Sequence, residues 1–523
     1  MKIKLTGCVL VLCFALNAFA QTTKPNIILI MVDDMGYSDI GCYGSEINTP
    51  NLDNLAAGGV KFTQFYNAAR CCPSRASLLT GVYPQQAGMG GMVTKDVDHS
   101  RETPYQGWLS RETVTVAEVL KSAGYRTYMS GKWHVGEERP DWPLQRGFDK
   151  YFGLISGANS YYRLLPGRLM LEDNEPYEIP ENFYLTDAIS DYAVRYIDDA
   201  TQSTRKDPFF MYVAYTAPHW PIHAPDEETA KYRGKYMKGW DQLRKDRYAR
   251  QQKMGLLPKS AVLTDRDDRI PAWEEAKNKD DWDLKMSAYA GMITRLDAGI
   301  GRIVDKLKAT GQLDNTLIMF LSDNGACAEV LTGRAKRDLE AEAYERSLVT
   351  PTGQKWSYDA YGMEWANLGN TPFRLYKQYT HEGGISTPLI VHYPKLVKKA
   401  FQTDQVGHIM DLMPTCLEVA GATHPTTFDG RTMKPMEGKS LVPILAGKSR
   451  KPHDFIAWEH FGCRAVRQGD WKLVSSKIDD NDWELYNVAK DRSETNDLAQ
   501  TMPGKMKEML VLYEGWAKKV GAK

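Results

Sequence analysis

Asp33-Asp34 and Asp323-Asn324 are two oxygen-bearing pairs far apart in a 523-residue chain, and each directly follows an apolar run. Carboxylates and an amide offer only oxygen, and flexible cages of hard ligands select Ca²⁺, or less often Mg²⁺, over zinc or copper. A cation held there would neutralise an anionic group and keep it in line for attack. The second feature is Cys71-Cys72-Pro73-Ser74-Arg75, which opens a segment, 74–82, of helical character. A residue at a helix N-terminus sees unpaired N–H groups and the positive dipole end, both of which favour a bound oxyanion. Arg75, one turn inside, offers a planar fork for two oxygens. The plainer reading of Cys71 is a buried thiol or half of a disulfide, and for an arbitrary exported chain these residues alone favour it.

The elements that must position these groups are legible as alternating runs. Residues 26–32 (NIILIMV) are continuously apolar, as a strand buried on both faces of a parallel sheet should be. Similar runs end at Ser130, Tyr215, Leu321 and Tyr393. Helical stretches over 114–123, 185–197, 286–308 and 407–419 alternate with them, and Gly124 and Gly311 stand where C-terminal caps belong. This predicts an α/β fold, a mostly parallel sheet sandwiched by helices. Asp33-Asp34 follow the first strand, Lys132 and His134 the next, His219 the run ending at Tyr215, and Asp323-Asn324 the run ending at Leu321. Ligands bind at the carboxyl ends of strands in open α/β sheets, so four strands deliver this chemistry to one edge. An Asp after a strand is often only a helix cap; four strands in agreement point to a site. Beyond Lys451 short alternating strands and a final helix over 505–518 predict a small antiparallel subdomain, giving units of 21–450 and 451–523.

Composition narrows the class. Lys plus Arg equals Asp plus Glu at 66 each, so no broad basic field exists to bind nucleic acid or another polyanion non-specifically. Residues 1–20 read as a signal peptide, with Lys2 and Lys4, an apolar run from Val9 to Leu16, and Ala18-Phe19-Ala20 as the cleavage site. The run is too short to span a bilayer, and Leu5-Thr6-Gly7-Cys8 lies on the wrong side of it for a lipoprotein signal. The expected mature chain is exported through the export machinery, periplasmic in a Gram-negative cell and otherwise secreted, with no membrane attachment after cleavage. The cysteines left after cleavage, Cys42, Cys71, Cys72, Cys327, Cys416 and Cys463, show neither zinc-type pairing nor a disulfide framework.

Cys71-x-Pro73-Ser74-Arg75-x-x-x-Leu79-Thr80-Gly81 matches the signature of the type I sulfatases of the alkaline phosphatase superfamily, in which the first Cys is oxidised to formylglycine. Further segments resemble the family in order: Asp33-Asp34-x-Gly36-Tyr37-x-Asp39-x-Gly41, Gly131-Lys132-Trp133-His134-x-Gly136, Ala217-Pro218-His219, Ser322-Asp323-Asn324-Gly325, and Lys377 five residues before Glu382-Gly383-Gly384. The stretch from Arg464 to Leu473 resembles the family's C-terminal subdomain. The resemblance implies an alkaline-phosphatase-like fold and hydrolysis of sulfate monoesters. It implies that Asp33, Asp34, Asp323, Asn324 and the modified Cys71 bind one Ca²⁺, and that Lys132, Lys377 and Arg75 surround the sulfate oxygens. A hydrated aldehyde at residue 71 would attack sulfur, His219 protonate the leaving alcohol with help from Lys377, and His134 take the proton that releases sulfate. A plain Ser or Cys would leave a sulfated adduct with no second hydroxyl from which to collapse.

The alcohol half is less constrained. Trp220, His223, Tyr161-Tyr162-Arg163 and Trp458-Glu459-His460 are candidates for contacts beyond the sulfate, with His460 chosen as substrate-binding. Export and zero net charge favour a pocket for a sulfated saccharide or small molecule. An arylsulfatase is the neighbouring alternative, and a phosphodiesterase or phosphonate hydrolase on the same scaffold a further one. A maturation enzyme that reads the cysteine motif is an expected partner.

Overall fold

The computed structural model describes residues 24–94, 97–203, 207–476 and 482–523; the expected signal peptide lies outside them. Among the described residues no helix is long and apolar enough to cross a membrane. Eleven strands of the described residues form one sheet: Asn26–Val32 (β1), Val60–Tyr66 (β2), Arg126–Gly131 (β3), Lys150–Leu154 (β4), Met170–Glu172 (β5), Glu175–Pro176 (β6), Phe209–Ala214 (β7), Thr316–Ser322 (β8), Ser386–His392 (β9), Phe401–Thr403 (β10) and Gly407–His408 (β11). They run in the order β10-β2-β9-β8-β1-β7-β3-β4-β5-β6, with β11 also on β2.

The apolar runs are central for a physical reason. Successive strand side chains point to opposite faces, and β1 sends Ile28, Ile30 and Val32 into one core and Ile27, Leu29 and Met31 into another. Its parallel neighbours β7 and β8 divide in the same way. Helices Leu185–Gln202 and Lys279–Ala309 cover the first face, and Cys71–Thr80, Val116–Ser122 and Leu412–Ala420 the second. Local chemistry sets the ends of Val116–Ser122. Thr115 Oγ1 accepts from Glu118 N at 3.1 Å and Glu118 Oε2 from Thr115 N at 2.7 Å, a reciprocal cap. Gly124 then takes φ 87°.

Two expectations are corrected. The last apolar run, β9, is antiparallel to both β2 and β8. Thr387, at the start of β9, is bonded to Ser322 at the end of β8, so the chain enters β9 from the carboxyl edge and must run back. The helix expected over 407–419 begins at Leu412, because Gly407 and His408 pair with β2 and His408 N donates to Asp411 Oδ2 at 2.9 Å.

Strands Ile456–His460, Cys463–Gln468, Trp471–Ser475 and Glu484–Asn487 form an antiparallel sheet on which the Pro503–Val520 helix packs. Its core takes in Tyr66, Ala69, Tyr83, Ile385 and Met410 from the larger part. The seam is ionic as well. Glu382, fully buried, accepts from Lys472 Nζ at 3.1 Å, Arg492 Nε at 3.2 Å, Tyr66 OH at 3.0 Å and Ser386 Oγ at 2.8 Å. Lys472 also pairs with Glu494 at 2.7 Å. Burial would raise the Glu382 carboxyl, but Lys472 and Arg492 outweigh it and hold it at about 2. Its contribution to stability is therefore complete above the ordinary carboxyl value of 4.5 and is lost as pH falls towards 2. Lys472→Met takes the shared cation from two buried carboxylates, leaving Glu382 to Arg492 and Glu494 without its ammonium partner, and is expected to cost about 3–5 kcal/mol in chemical denaturation; a loss under about 1 kcal/mol, the value of an exposed pair, would show the seam is not held this way.

Candidate active site

The carboxyl edge of β1, β3, β7 and β8 gathers the expected groups. Asp33 N bonds Ala217 O at 3.1 Å and Asp323 N bonds Val32 O at 3.1 Å, so the segments leaving three strands are tied together. Lys132 N bonds Ala214 O at 2.7 Å, which brings in the fourth. Glycines permit the close approach: a Cβ on Gly36 would lie 2.4 Å from the Gly369 carbonyl, and one on Gly325 1.8 Å from Gly383 O. Asp34 (φ 68°) and His134 (φ 56°) sit in the left-handed region, an uncommon backbone for such residues that the surrounding fold must enforce.

Asp33, Asp34, Arg75, Lys132, Asp323 and Asn324 are almost wholly buried and bonded to one another. Lys132 Nζ lies 2.5 Å from Asp33 Oδ2. Lys377 Nζ lies 2.9 Å from Asp34 Oδ2, and Asn324 Nδ2 donates to Asp34 Oδ1 at 2.8 Å. Asp323 Oδ1 accepts from Asp34 N at 3.2 Å. The Arg75 fork is spent within the cluster, on Asp323 Oδ2 and Lys132 O at 3.0 Å each and on Tyr212 OH at 3.3 Å, with Asp33 Oδ2 3.4 Å away. Burial and the neighbouring Asp33 push Asp323 up despite Arg75, while Lys132, His219 and Arg75 overcome burial and hold Asp33 down. Oδ1 of Asp33 and Oδ1 of Asn324 are buried without a donor. Oxygen-only groups, two of them unpartnered and one short of positive charge, fit a hard divalent cation.

Cys71 opens its helix at the first position rather than preceding it, three residues earlier than expected, with Arg70 as the extended N-cap residue. Ser74 Oγ accepts from Ala68 N at 2.9 Å, fixing the turn before it. Cys71 and Cys72 place their sulfurs near the His134 ring, the three ligand atoms within 4.8 Å of one another. The Cys71 thiol is held well below its ordinary range, first by a hydrogen bond from Cys72 and then, against burial, by Lys132 and His134. His134 is pushed down to about 4 by burial and Lys132, so its ring is neutral near pH 7 and its buried Nδ1 is unpartnered. His219 Nδ1 lies 2.6 Å from Trp220 O; a carbonyl only accepts, so Nδ1 carries hydrogen and Nε2 points to Asp34 Oδ2 at 3.4 Å.

His460, His223 and Trp458 make their hydrogen bonds outside this cluster, though Cys71 and Lys377 lie close enough to act on the His460 ring. His460 is buried, with Nδ1 3.2 Å from Gly90 O and its ring against Phe461. His223 is spent on Ser160, Tyr161 N and Ser357 O, and Trp458 Nε1 on Asn67 O. Tyr161 OH accepts no ligand role in these bonds; it donates towards Thr216 O and His219 O. Sequence reasoning missed Tyr212, Arg70 and Glu329. Glu329 accepts from Arg70 NH2 at 3.0 Å and Trp220 Nε1 at 2.7 Å. Only Arg70 carried a signal, its place before Cys71.

Residues 25–422 match the family model "Sulfatase", and residues 373–511 match "N-sulphoglucosamine sulphohydrolase, C-terminal". The chain is 36% identical over 530 residues to an uncharacterised sulfatase of Schizosaccharomyces pombe, covering 96% of this chain and 95% of that one. It is 35% identical over 443 residues to an arylsulfatase of Klebsiella aerogenes, covering 82% and 94%. The crystal structure of Ps i-CgsB in complex with k-i-k-neocarrahexaose superposes with a TM-score of 0.69 at 27% identity, covering 95% of this chain and 93% of that one.

Proposed function

The chain belongs to the sulfatase family and is a sulfuric ester hydrolase, and from that premise we propose that it releases inorganic sulfate from O-sulfated carbohydrate, with an aldehyde made from Cys71 and one bound Ca²⁺. The observation that carries the metal is the pair of buried, donorless oxygens on Asp33 and Asn324 beside the crowded Asp323. Asp33, Asp34, Asp323, Asn324 and residue 71 would hold the ion, which when bound supplies positive charge against the sulfate. Oxidised and hydrated, residue 71 supplies an oxygen nucleophile where the thiol stood.

The chain's own side chains do the rest. Lys132 and Lys377 bring two buried ammonium groups to the sulfate oxygens, where preorganised charge acts without reorganisation. Arg75 acts from behind, orienting Asp33 and Asp323 and lending charge to residue 71. His134, neutral and against Cys71, accepts the proton that residue 71 gives up as sulfate leaves. His219 keeps Nδ1–H on the Trp220 carbonyl and turns Nε2 to the departing oxygen; to act as the acid it must hold a second proton at Nε2, which Asp34 and Asp33 favour against the burial that lowers the ring. Residues 21–450 form the catalytic unit in this account and 451–523 its subdomain, with export and a maturation enzyme preceding activity.

The k-i-k-neocarrahexaose bound by Ps i-CgsB supports a saccharide, and the Klebsiella relative supports an aryl ester as the second reading. A panel of defined sulfated mono- and disaccharides, nitrophenyl sulfate and a phosphate diester, with matured protein, separates them; faster turnover of the diester than of every sulfate would overturn the proposal. His219→Ala sharpens the test. A sugar alkoxide leaves poorly without a proton, so its sulfate should lose about 10²–10⁴-fold in kcat, the range of general acid catalysis. Nitrophenolate leaves readily and should lose far less. Equal losses with chemistry rate-limiting for both would remove His219 from that role.

A further inference from the structure

Phe461-Gly462 is the two-residue turn between Ile456–His460 and Cys463–Gln468, with φ 48° and 88°. Such turns take Asn, Asp or Gly at the first position, and a bulky aromatic there carries backbone strain. Phe461 is also 60% exposed. Neither turn chemistry nor core packing accounts for its ring.

Its surroundings do point somewhere. The Arg70 guanidinium lies 5.6 Å from the Phe461 ring centroid, and Arg70 directly precedes Cys71. Arg70 donates to Glu329, Glu329 accepts from the Trp220 indole, and the Trp220 ring lies 4.5 Å from that of His219. The contacts Phe461–Arg70–Glu329–Trp220 thus join the exposed ring to the group proposed to protonate the leaving oxygen. On the inner side the His460 ring sits 4.1 Å from Phe461, held by Gly90 O, with Nε2 buried and unpartnered.

We propose that Phe461 is the platform for the alcohol half of the ester, a six-membered ring with one apolar face, and that Arg70, clamped by Glu329, positions that platform. The inference rests on the sulfatase reading and deepens it. An exposed aromatic at a rim offers a flat apolar surface to the C–H face of a pyranose or to an aryl ring, and such stacking repays strain only when the ligand is present. His460 backs the Phe461 ring and leaves Nε2 free for the substrate contact expected of it.

The test compares wild type with Phe461→Asn, which suits the left-handed backbone, and Phe461→Trp, which restores a ring. Substrates are a sulfated methyl pyranoside and nitrophenyl sulfate, with inhibition by inorganic sulfate as the probe of the sulfate pocket alone. Phe461→Asn should lower kcat/KM about 10- to 100-fold through KM for whichever ring is the ligand. Inhibition by sulfate and the melting temperature should hold, and Phe461→Trp should recover most of the loss. A fall confined to the pyranoside identifies a sugar, one confined to nitrophenyl sulfate an aryl group. Unchanged kcat/KM on both, a parallel weakening of sulfate inhibition, or a drop in melting temperature would overturn the platform role. Failure of wild type to cleave either ester would count against the sulfatase reading instead.

Discussion

Cys71→Ala is expected to remove turnover, by on the order of 10⁶-fold as when other enzymes lose their nucleophile, while Cys72→Ala keeps most of it. The two thiols are neighbours at one helix start and both are buried. Their surroundings differ. Both belong to the same core, but Cys71 is held low by Cys72, Lys132 and His134, among the cations of the cluster, whereas burial pushes Cys72 up. Both sulfurs lie near His134, so the assignment of the nucleophile to residue 71 rests on its cationic surroundings and on the motif, and kcat of the two variants on the best panel substrate checks it. Comparable losses in both would mean that the pair acts as a unit and that the assignment to Cys71 is wrong.

Metal removal should be nearly as severe. Chelation is expected to cost roughly 10³-fold or more, the several kcal/mol a Lewis-acidic ion supplies to a developing charge, and Ca²⁺ should restore it. Asp33→Asn should make the loss permanent, since it removes charge from the site where Oδ1 has no other partner. Calorimetry gives a readout independent of turnover: Ca²⁺ should raise the melting temperature of wild type by binding only the folded state, and raise that of Asp33→Asn much less. If a zinc-selective chelator inactivated the enzyme and Ca²⁺ failed to rescue it, the oxygen-ligand assignment would fall.

Much of the candidate site was readable because its residues follow short apolar runs that suit buried strands. NIILIMV dictates a strand shared between two cores, and the position of Asp33-Asp34 at its end follows. What stayed hidden depends on where the chain returns. β2 (VKFTQFY) interrupts its apolar pattern with Lys61 and Gln64, and the direction of β9 depends on its entering the sheet beside the end of β8. The same holds for partners. Nothing in the sequence says that the Arg75 fork is spent on Asp323 and the Lys132 carbonyl, that His223 serves Ser357, or that Glu329 bridges Arg70 and Trp220. Local composition fixes which faces are apolar; long-range packing decides which polar groups meet.

The central claim, that residue 71 works as an aldehyde, is open to one direct measurement. Trypsin cleaves after Arg70 and Arg75, so the segment Cys71–Arg75 is released as a short peptide whose mass reports both thiols. Fractions of increasing specific activity should show a rising share of aldehyde at position 71, with an alkylatable thiol retained at position 72. Full activity from protein in which both cysteines remain intact thiols would contradict the account.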